Sequence, residues 1–301
     1  MRILMPVDGS SFSKAAVAFI ASRATLLKEP TDVELVNIQS RVPLRAVRAL
    51  GKEAVQNYYE TEAARALKSA AAALKRAGAK TTARHVVGTV AHELAAIVAN
   101  DPADLIVMGS HGDTGLKKLL LGSVASTVAV SCTKPLLILR EGAVPRKDSL
   151  KLGIALDGSP YGLAAARFVA RHRKLFGPAP AISLIHVAPE LTKIVVPGWL
   201  EREVETGIKP EQVEAMHKAA FESVCAPVRE VLEGAGLASK EVRLIGRVPG
   251  DGIAAHATKS RLDLLVMGSL GFGASRHTSM GSVATRVALR CRTALLLVRE
   301  K

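Results

Sequence analysis

Short apolar runs alternate along this chain with longer stretches whose apolar residues recur at helical spacing. In the first half, residues 2–7 read as a strand, and Ser10 or Ser11 can accept a first-turn N–H and start a helix running to Thr25. Further strands are expected over 33–38, 81–87, 105–108 and 136–139, with helices over 54–77, 92–100 and 123–131 between them. Gly78 stops the long helix and Asp101-Pro102 ends the next. The second half repeats this order. Strict alternation with strands apolar on both faces predicts an α/β fold, a doubly wound parallel sheet with helices on both faces. Such sheets bind ligands at the carboxyl ends of the strands, where strand order reverses.

The halves are copies. Asp104-Leu-Ile-Val-Met-Gly-Ser110 recurs as Asp263-Leu-Leu-Val-Met-Gly-Ser269, and Gly122-Ser-Val-Ala125 as Gly281-Ser-Val-Ala284, both at a shift of 159 residues. Cys132 falls on Cys291 in the same register, and 136–141 on 295–300. Near the start, Val7-Asp-Gly-Ser10 matches Leu156-Asp-Gly-Ser159 at a shift of 149, so the second copy has gained residues, placed within 189–210. A repeat as long as a domain is a duplication and not a solenoid unit. Two tandem five-stranded sheets follow, in domains 1–145 and 146–301, joined by a Gly-, Pro- and charge-containing linker over 141–149.

Composition changes this picture in one respect. The chain of 301 residues carries a net charge of +14. Residues 1–148 hold 20 Lys and Arg against 13 Asp and Glu, and the remainder 21 against 14, so the excess belongs to both copies. A positive field favours polyanions without choosing among them. The basic stretches 41–52 and 167–174 have almost no interleaved aromatics for stacking bases, so nucleic acid is disfavoured as a partner. No apolar run reaches the roughly 18 residues of a membrane helix. Three cysteines without a C-x-x-C fit a reducing cytoplasm, and burial explains Cys132 and Cys291 better than redox sensing.

The candidate chemistry lies in the turn after each central strand. Gly109, Gly112, Gly122 and Ser123 keep the spacing G-x2-G-x9-G-S, and Gly268, Gly271, Gly281 and Ser282 keep it again, while the intervening residues differ almost completely. Glycines permit positive φ and let backbone N–H groups approach an anion. The closing Gly-Ser pair opens a helix, where free N–H groups and the dipole favour phosphate. A tight turn that binds nothing would also use glycines, but a frame persisting through divergent filler favours the phosphate cradle. Lys117 and Lys118, or Arg276 and His277, lie inside the frames as charge screens or as solvated surface. Asp8 and Asp157 either face a ligand or cap the following helix. Neither a Walker lysine, a zinc-ligand spacing nor a nucleophile elbow is present, and no catalytic or metal-binding residues are assigned.

These motifs, taken together, resemble the universal stress proteins of the ATP-binding kind, in a tandem two-domain form, over essentially the whole chain. The resemblance implies that Gly109, Gly112, Gly122, Ser123 and the Val124 amide hold phosphates, with Asp8 by the ribose and Ile38 and Met108 beside adenine. The matching positions are Gly268, Gly271, Gly281, Ser282, Val283, Asp157, Val187 and Met267. It implies ATP, which Mg2+ can accompany, and a stress-associated regulatory or protective role with little or no turnover. A slow ATPase or autophosphorylating protein, and a nucleotide-free scaffold with vestigial loops, stay open as alternatives. It also implies an intramolecular pseudo-dimer through the last strands, 136–139 and 295–298, with further homodimerisation left open. Pro6→Ala155 and His111→Leu270 are departures between the copies. The expansion around Val195, Val196, Trp199 and Leu200 reads as a lid or a partner surface.

Overall fold

The computed structural model describes residues 1–27, 31–112, 121–140, 142, 145, 147–191, 193–196, 202–205, 207–272 and 280–299. In the first half the elements are β1 (Arg2–Pro6), α1 (Ser11–Leu27), β2 (Asp32–Gln39), α2 (Leu44–Leu50), α3 (Lys52–Arg76), β3 (Lys80–Val87), α4 (Val90–Asn100), β4 (Leu105–Gly109), α5 (Ser123–Ser131) and β5 (Leu136–Leu139). In the second they are β6 (Lys151–Leu156), α6 (Pro160–Arg171), β7 (Ala181–Ala188), β8 (Lys193–Val196), β9 (Arg202–Glu205), α7 (Pro210–Gly234), β10 (Ser239–Ile245), α8 (Pro249–Lys259), β11 (Leu264–Gly268), α9 (Ser282–Arg290) and β12 (Ala294–Val298). The expected strands and helices are present with ends shifted by a few residues. The short α2 lies within the basic stretch 41–52, where the sequence pattern predicts no helix. The expansion in the second half forms the β8–β9 antiparallel hairpin, and Trp199 and Leu200 lie outside the described residues.

Each half contributes five parallel strands, but the two sets merge into one sheet of ten, ordered β10-β7-β6-β11-β12-β5-β4-β1-β2-β3. The order reverses beside β1 and β4 in one half and beside β6 and β11 in the other. The join is antiparallel, with Leu295 opposite Ile138, Leu296 opposite Leu137 and Leu297 opposite Leu136. These last strands are apolar and fully buried, as an edge needs to be when it is covered by a second edge. The tandem domains therefore form the expected pseudo-dimer.

Helices α1, α3, α6 and α7 pack their buried residues on one face, and α4, α5, α8 and α9 on the other. Both cores run across the seam, with Leu137 and Leu296 in one, and Leu136, Ile138, Leu295 and Leu297 in the other. At about 1.5–3 kcal/mol for each buried aliphatic side chain, this apolar contact is the main attraction between the halves. Two arginines add direction to it. Arg140 Nη2 donates to Ala288 O at 2.7 Å, and the repeat-related Arg299 Nη2 donates to Ala129 O at 2.6 Å. Each cation thus sits at the C-terminal end of the other half's helix, α9 or α5, where the dipole is negative. Burial pushes the Arg140 guanidinium down to about 10, still charged near neutrality. Among the described residues no helix is long and apolar enough to cross a membrane.

Candidate functional site

The Asp-Gly-Ser turn after β1 is shaped by a glycine in the left-handed region, Gly9 at φ +82°, and Gly158 repeats it at +83°. Asp8 Oδ1 accepts the Ser10 N–H at 3.0 Å, and Asp157 Oδ1 accepts the Ser159 N–H at 3.0 Å. The capping of α1 falls to a different residue, Ser10, whose Oγ accepts the Ser13 N–H at 3.1 Å. Asp8 therefore shapes the turn with one oxygen and does not cap the helix. The other oxygen, Oδ2, stands 2.9 Å from where a Cβ on Gly112 would be, so the carboxylate and the first glycine loop face each other. Asp157 Oδ2 meets Gly271 in the same way, at 2.5 Å.

At Gly109, Gly112, Gly122, Gly268 and Gly271 the glycine frame works by space and not by φ, whereas Gly281 has room for a Cβ. None of Gly109, Gly112, Gly122, Gly268, Gly271 and Gly281 has positive φ, which corrects the expectation drawn from glycine's backbone freedom. A Cβ on Gly109 would lie 2.7 Å from the carbonyl carbon of Phe12, and one on Gly268 would lie 2.5 Å from Tyr161 Cβ. The chain of β4 or β11 thus passes directly against the start of α1 or α6. Gly122 N–H donates to Ser110 O at 2.8 Å and Gly281 N–H to Ser269 O at 2.8 Å, which closes each loop at the helix start. Ser126 and Thr285 are the first residues of α5 and α9 to reach a helical carbonyl, those of Gly122 and Gly281, each at 2.9 Å. The N–H groups of Ser123, Val124 and Ala125, and of Ser282, Val283 and Ala284, precede that point. Among the described residues neither helix has a side-chain cap.

Those open N–H groups border a cavity in each half. In the first half Asp8, Ile38, Met108, Gly109, Gly112, Gly122, Ser123 and Val124 all line one cavity of about 140 Å³. In the second, Asp157, Val187, Met267, Gly268, Gly271, Gly281, Ser282 and Val283 all line another, of about 630 Å³. The sixteen residues named from the sequence are thus brought together, eight and eight, at the carboxyl ends of the strands where the order reverses. Lys117, Lys118, Arg276 and His277 lie outside the described residues.

Residues 1–140 match the Universal stress protein family, and residues 150–299 match it again. The chain belongs to that family. A universal stress protein of Mycolicibacterium smegmatis is 26% identical over 309 residues, spanning 99% of this chain and 97% of its own. Universal stress protein MJ0531 of Methanocaldococcus jannaschii is 31% identical over 150 residues, 49% of this chain and 84% of the relative. The crystal structure of a universal stress protein from Archaeoglobus fulgidus superposes over 100% of this chain and 98% of its own, with a TM-score of 0.67 at 21% identity. That likeness concerns the fold.

As a universal stress protein the chain has cavity walls that sequence reasoning missed. Val90 and Leu94 on α4, and Pro249 and Ile253 on α8, close the two cavities from the side. They fall on one another at the shift of 159, but no residue type or spacing marks them as cavity walls in the sequence. His111 lines the first cavity, and Leu270 and Phe272 line the second. At the end of the second strands, Asn37 Nδ2 donates to Val7 O at 2.7 Å, while His186 Nδ1 lies 2.9 Å from Leu156 O. His186 thereby does Asn37's bridging work with a ring that also reaches the cavity wall. The three cysteines are buried, and burial raises their thiols, Cys225 to about 12, which keeps them unreactive as packing residues.

Proposed function

We propose that this universal stress protein binds ATP, one molecule in each of two domains, 1–145 and 146–301, and acts as a stress-associated regulatory or protective factor through its occupied state. The carrying observation is that the same eight repeat positions converge on a cavity in both halves, each with an uncapped helix start on its border. Phosphates would rest on the N–H groups of Ser123 and Val124, and of Ser282 and Val283, where unpaired donors and the dipole favour an anion. Gly109, Gly112 and Gly122 let the loop lie against Phe12, Asp8 and Ser110, which brings its backbone to the cavity wall. Asp8 and Asp157 would meet a ribose hydroxyl through Oδ2. The apolar side chains of Ile38 and Met108, and of Val187 and Met267, would flank the base. Mg2+ would enter with the phosphates, since no group of three or more candidate metal ligands occurs among the described residues.

This role requires occupancy and not turnover. The first test is mass spectrometry of nucleotide released from gently purified protein, followed by calorimetry with MgATP. Two binding events are expected, and Gly122→Val and Gly281→Val should each remove one by placing a branched side chain in a cradle. Protein that carries no adenine nucleotide and gives no heat with MgATP would overturn the reading in favour of a scaffold.

A further inference from the structure

The first cavity contains a hydrogen-bonding group that the protein leaves unmatched. His111 lines that cavity at its glycine end, where a Cβ on Gly122 would lie 3.5 Å from the imidazole Cδ2. The ring is held from its other side. Nδ1 is 3.1 Å from Ser110 Oγ, and Phe12 packs tilted against the ring with centroids 5.0 Å apart. Nε2 is buried and has no hydrogen-bond partner among the described residues. A polar atom in that position has given up water without replacement, an unfavourable arrangement that a ligand can relieve. The second half does without the group. Leu270 occupies the place of His111, and the buried Ser269 hydroxyl, which corresponds to Ser110, has no partner among the described residues.

We infer that His111 is a ligand-contacting residue of the first half only, donating from Nε2 to a phosphate oxygen held by Gly112, Gly122 and the N–H groups that open α5. The inference rests on the nucleotide reading above and deepens it. The unpartnered Nε2 is the nitrogen free to donate: when the Ser110 hydroxyl gives its proton to Nδ1, the ring proton sits on Nε2 and is available to an anionic oxygen. Two consequences follow. The imidazole adds a side-chain donor to the backbone N–H groups of the first cradle, so phosphate counts for more in the affinity of the first site. The second site, with an apolar Leu270 in that place and a cavity of about 630 Å³ against about 140 Å³, depends more on the non-phosphate part of its ligand. One protein thus carries two sites of different phosphate dependence on one backbone frame.

The experiment uses the full chain and MgATP in calorimetry, with His111→Leu, His111→Gln and Leu270→His. His111→Leu should weaken one of the two binding events about tenfold, or about 1.4 kcal/mol, and leave the other unchanged. His111→Gln, which keeps a donor, should recover part of the loss, and Leu270→His should tighten the second event. The melting temperature of ligand-free His111→Leu should change little, because the unmatched Nε2 goes while the buried Ser110 hydroxyl loses its Nδ1 partner. In nitrogen-15 spectra, ATP should shift the His111 Nε2 signal of the wild-type protein. Two binding events unchanged within twofold by His111→Leu, or a Nε2 signal blind to ATP, would overturn the inference and leave the nucleotide reading standing. If the wild-type protein binds no ATP, the nucleotide reading falls by itself. Inorganic phosphate is then the probe: binding lost in His111→Leu keeps the contact with a free anion as its source, and no binding ends it.

Discussion

Arg23 lies on α1 in a position that reads as helix surface, yet only 1% of it is exposed. Its Nη1 donates to Asp148 O at 2.5 Å and its Nη2 to Lys147 O at 3.1 Å. The guanidinium carbon is 5.9 Å from the centre of the Phe19 ring. The first half thus grips the segment that leads into the second. From the other side Gly177, at φ +103°, passes so close that a Cβ would overlap Asp148 O. Burial lowers the Arg23 pKa, opposed by Asp148 and Asp263, so the charge is kept at a desolvation cost. Arg23→Ala removes two hydrogen bonds from a charged donor, worth about 1.5–3 kcal/mol each, and recovers part of that through the lost desolvation penalty. The packing lost with the long side chain adds to the deficit, for a net destabilisation of about 2–4 kcal/mol. Arg23→Met fills the space and should cost less, about 1–2 kcal/mol. Gly177→Ala forces a side chain into left-handed backbone and into the carbonyl, at about 3 kcal/mol or more. Urea unfolding followed by circular dichroism at neutral pH gives these differences from the midpoints, provided the slopes agree. The double variant should be non-additive, since both residues act on one carbonyl. An Arg23→Ala protein within about 0.5 kcal/mol of wild type, the scatter of ordinary surface changes, would refute the clamp. Additivity of Arg23→Met and Gly177→Ala within about 0.3 kcal/mol would show that Arg23 acts elsewhere than on the linker.

Three further outcomes are expected. A Cβ on Gly122 would meet Ser110 O at 3.1 Å and His111 Cα at 3.3 Å, whereas the nearest atoms to one on Gly281 are at 3.5 Å. Gly122→Ala should therefore destabilise more than Gly281→Ala, by about 1 kcal/mol or more in urea unfolding, and the reverse order would sink the steric account. Burial is the main cause holding His172 below its ordinary value, with Arg171 and the N-terminus adding and Asp104 opposing. The unfolded chain then takes the proton first, so stability present above about pH 6.5 is lost as pH falls below it. His172→Gln should flatten that acid-side slope between about pH 7.5 and 5.5, and an unchanged slope would remove His172 from it, leaving His256, which burial also lowers. Finally, Cys132, Cys225 and Cys291 should resist a disulfide-exchange reagent in the folded protein and all react in concentrated guanidinium. Fast labelling of any one in the native state would contradict its burial.

The candidate site was unusually legible because its parts are local motifs written twice. Asp-Gly-Ser and the glycine frame each need particular residue types at fixed offsets, and two copies separate what the backbone requires from what merely fills the interval. The strands were legible for a related reason. Leu105–Gly109 and Leu264–Gly268 are buried at every position, so their apolar runs are continuous and cannot be mistaken for half-exposed strands.

What the amino-acid order could not decide is anything that depends on which distant groups meet. Offsets named Gly109 and Gly122, but only the fold reveals that their glycines answer to crowding by Phe12 and Ser110 and not to positive φ. The meeting of the last strands was expected, but its antiparallel register, Leu295 opposite Ile138 and Leu297 opposite Leu136, and the single ten-stranded sheet that results are visible only in the fold. Arg23, Arg140 and Arg299 look alike in sequence to any surface arginine. Each is placed by carbonyl groups more than a hundred residues away, Asp148 O, Ala288 O and Ala129 O. The physical reason is one of range. Periodicity, turn chemistry and repeat register act within a few residues and are carried by the chain itself. The partners of a buried charge, and the side chains that line a cavity, exist only once the sheet has brought separate segments to the same place.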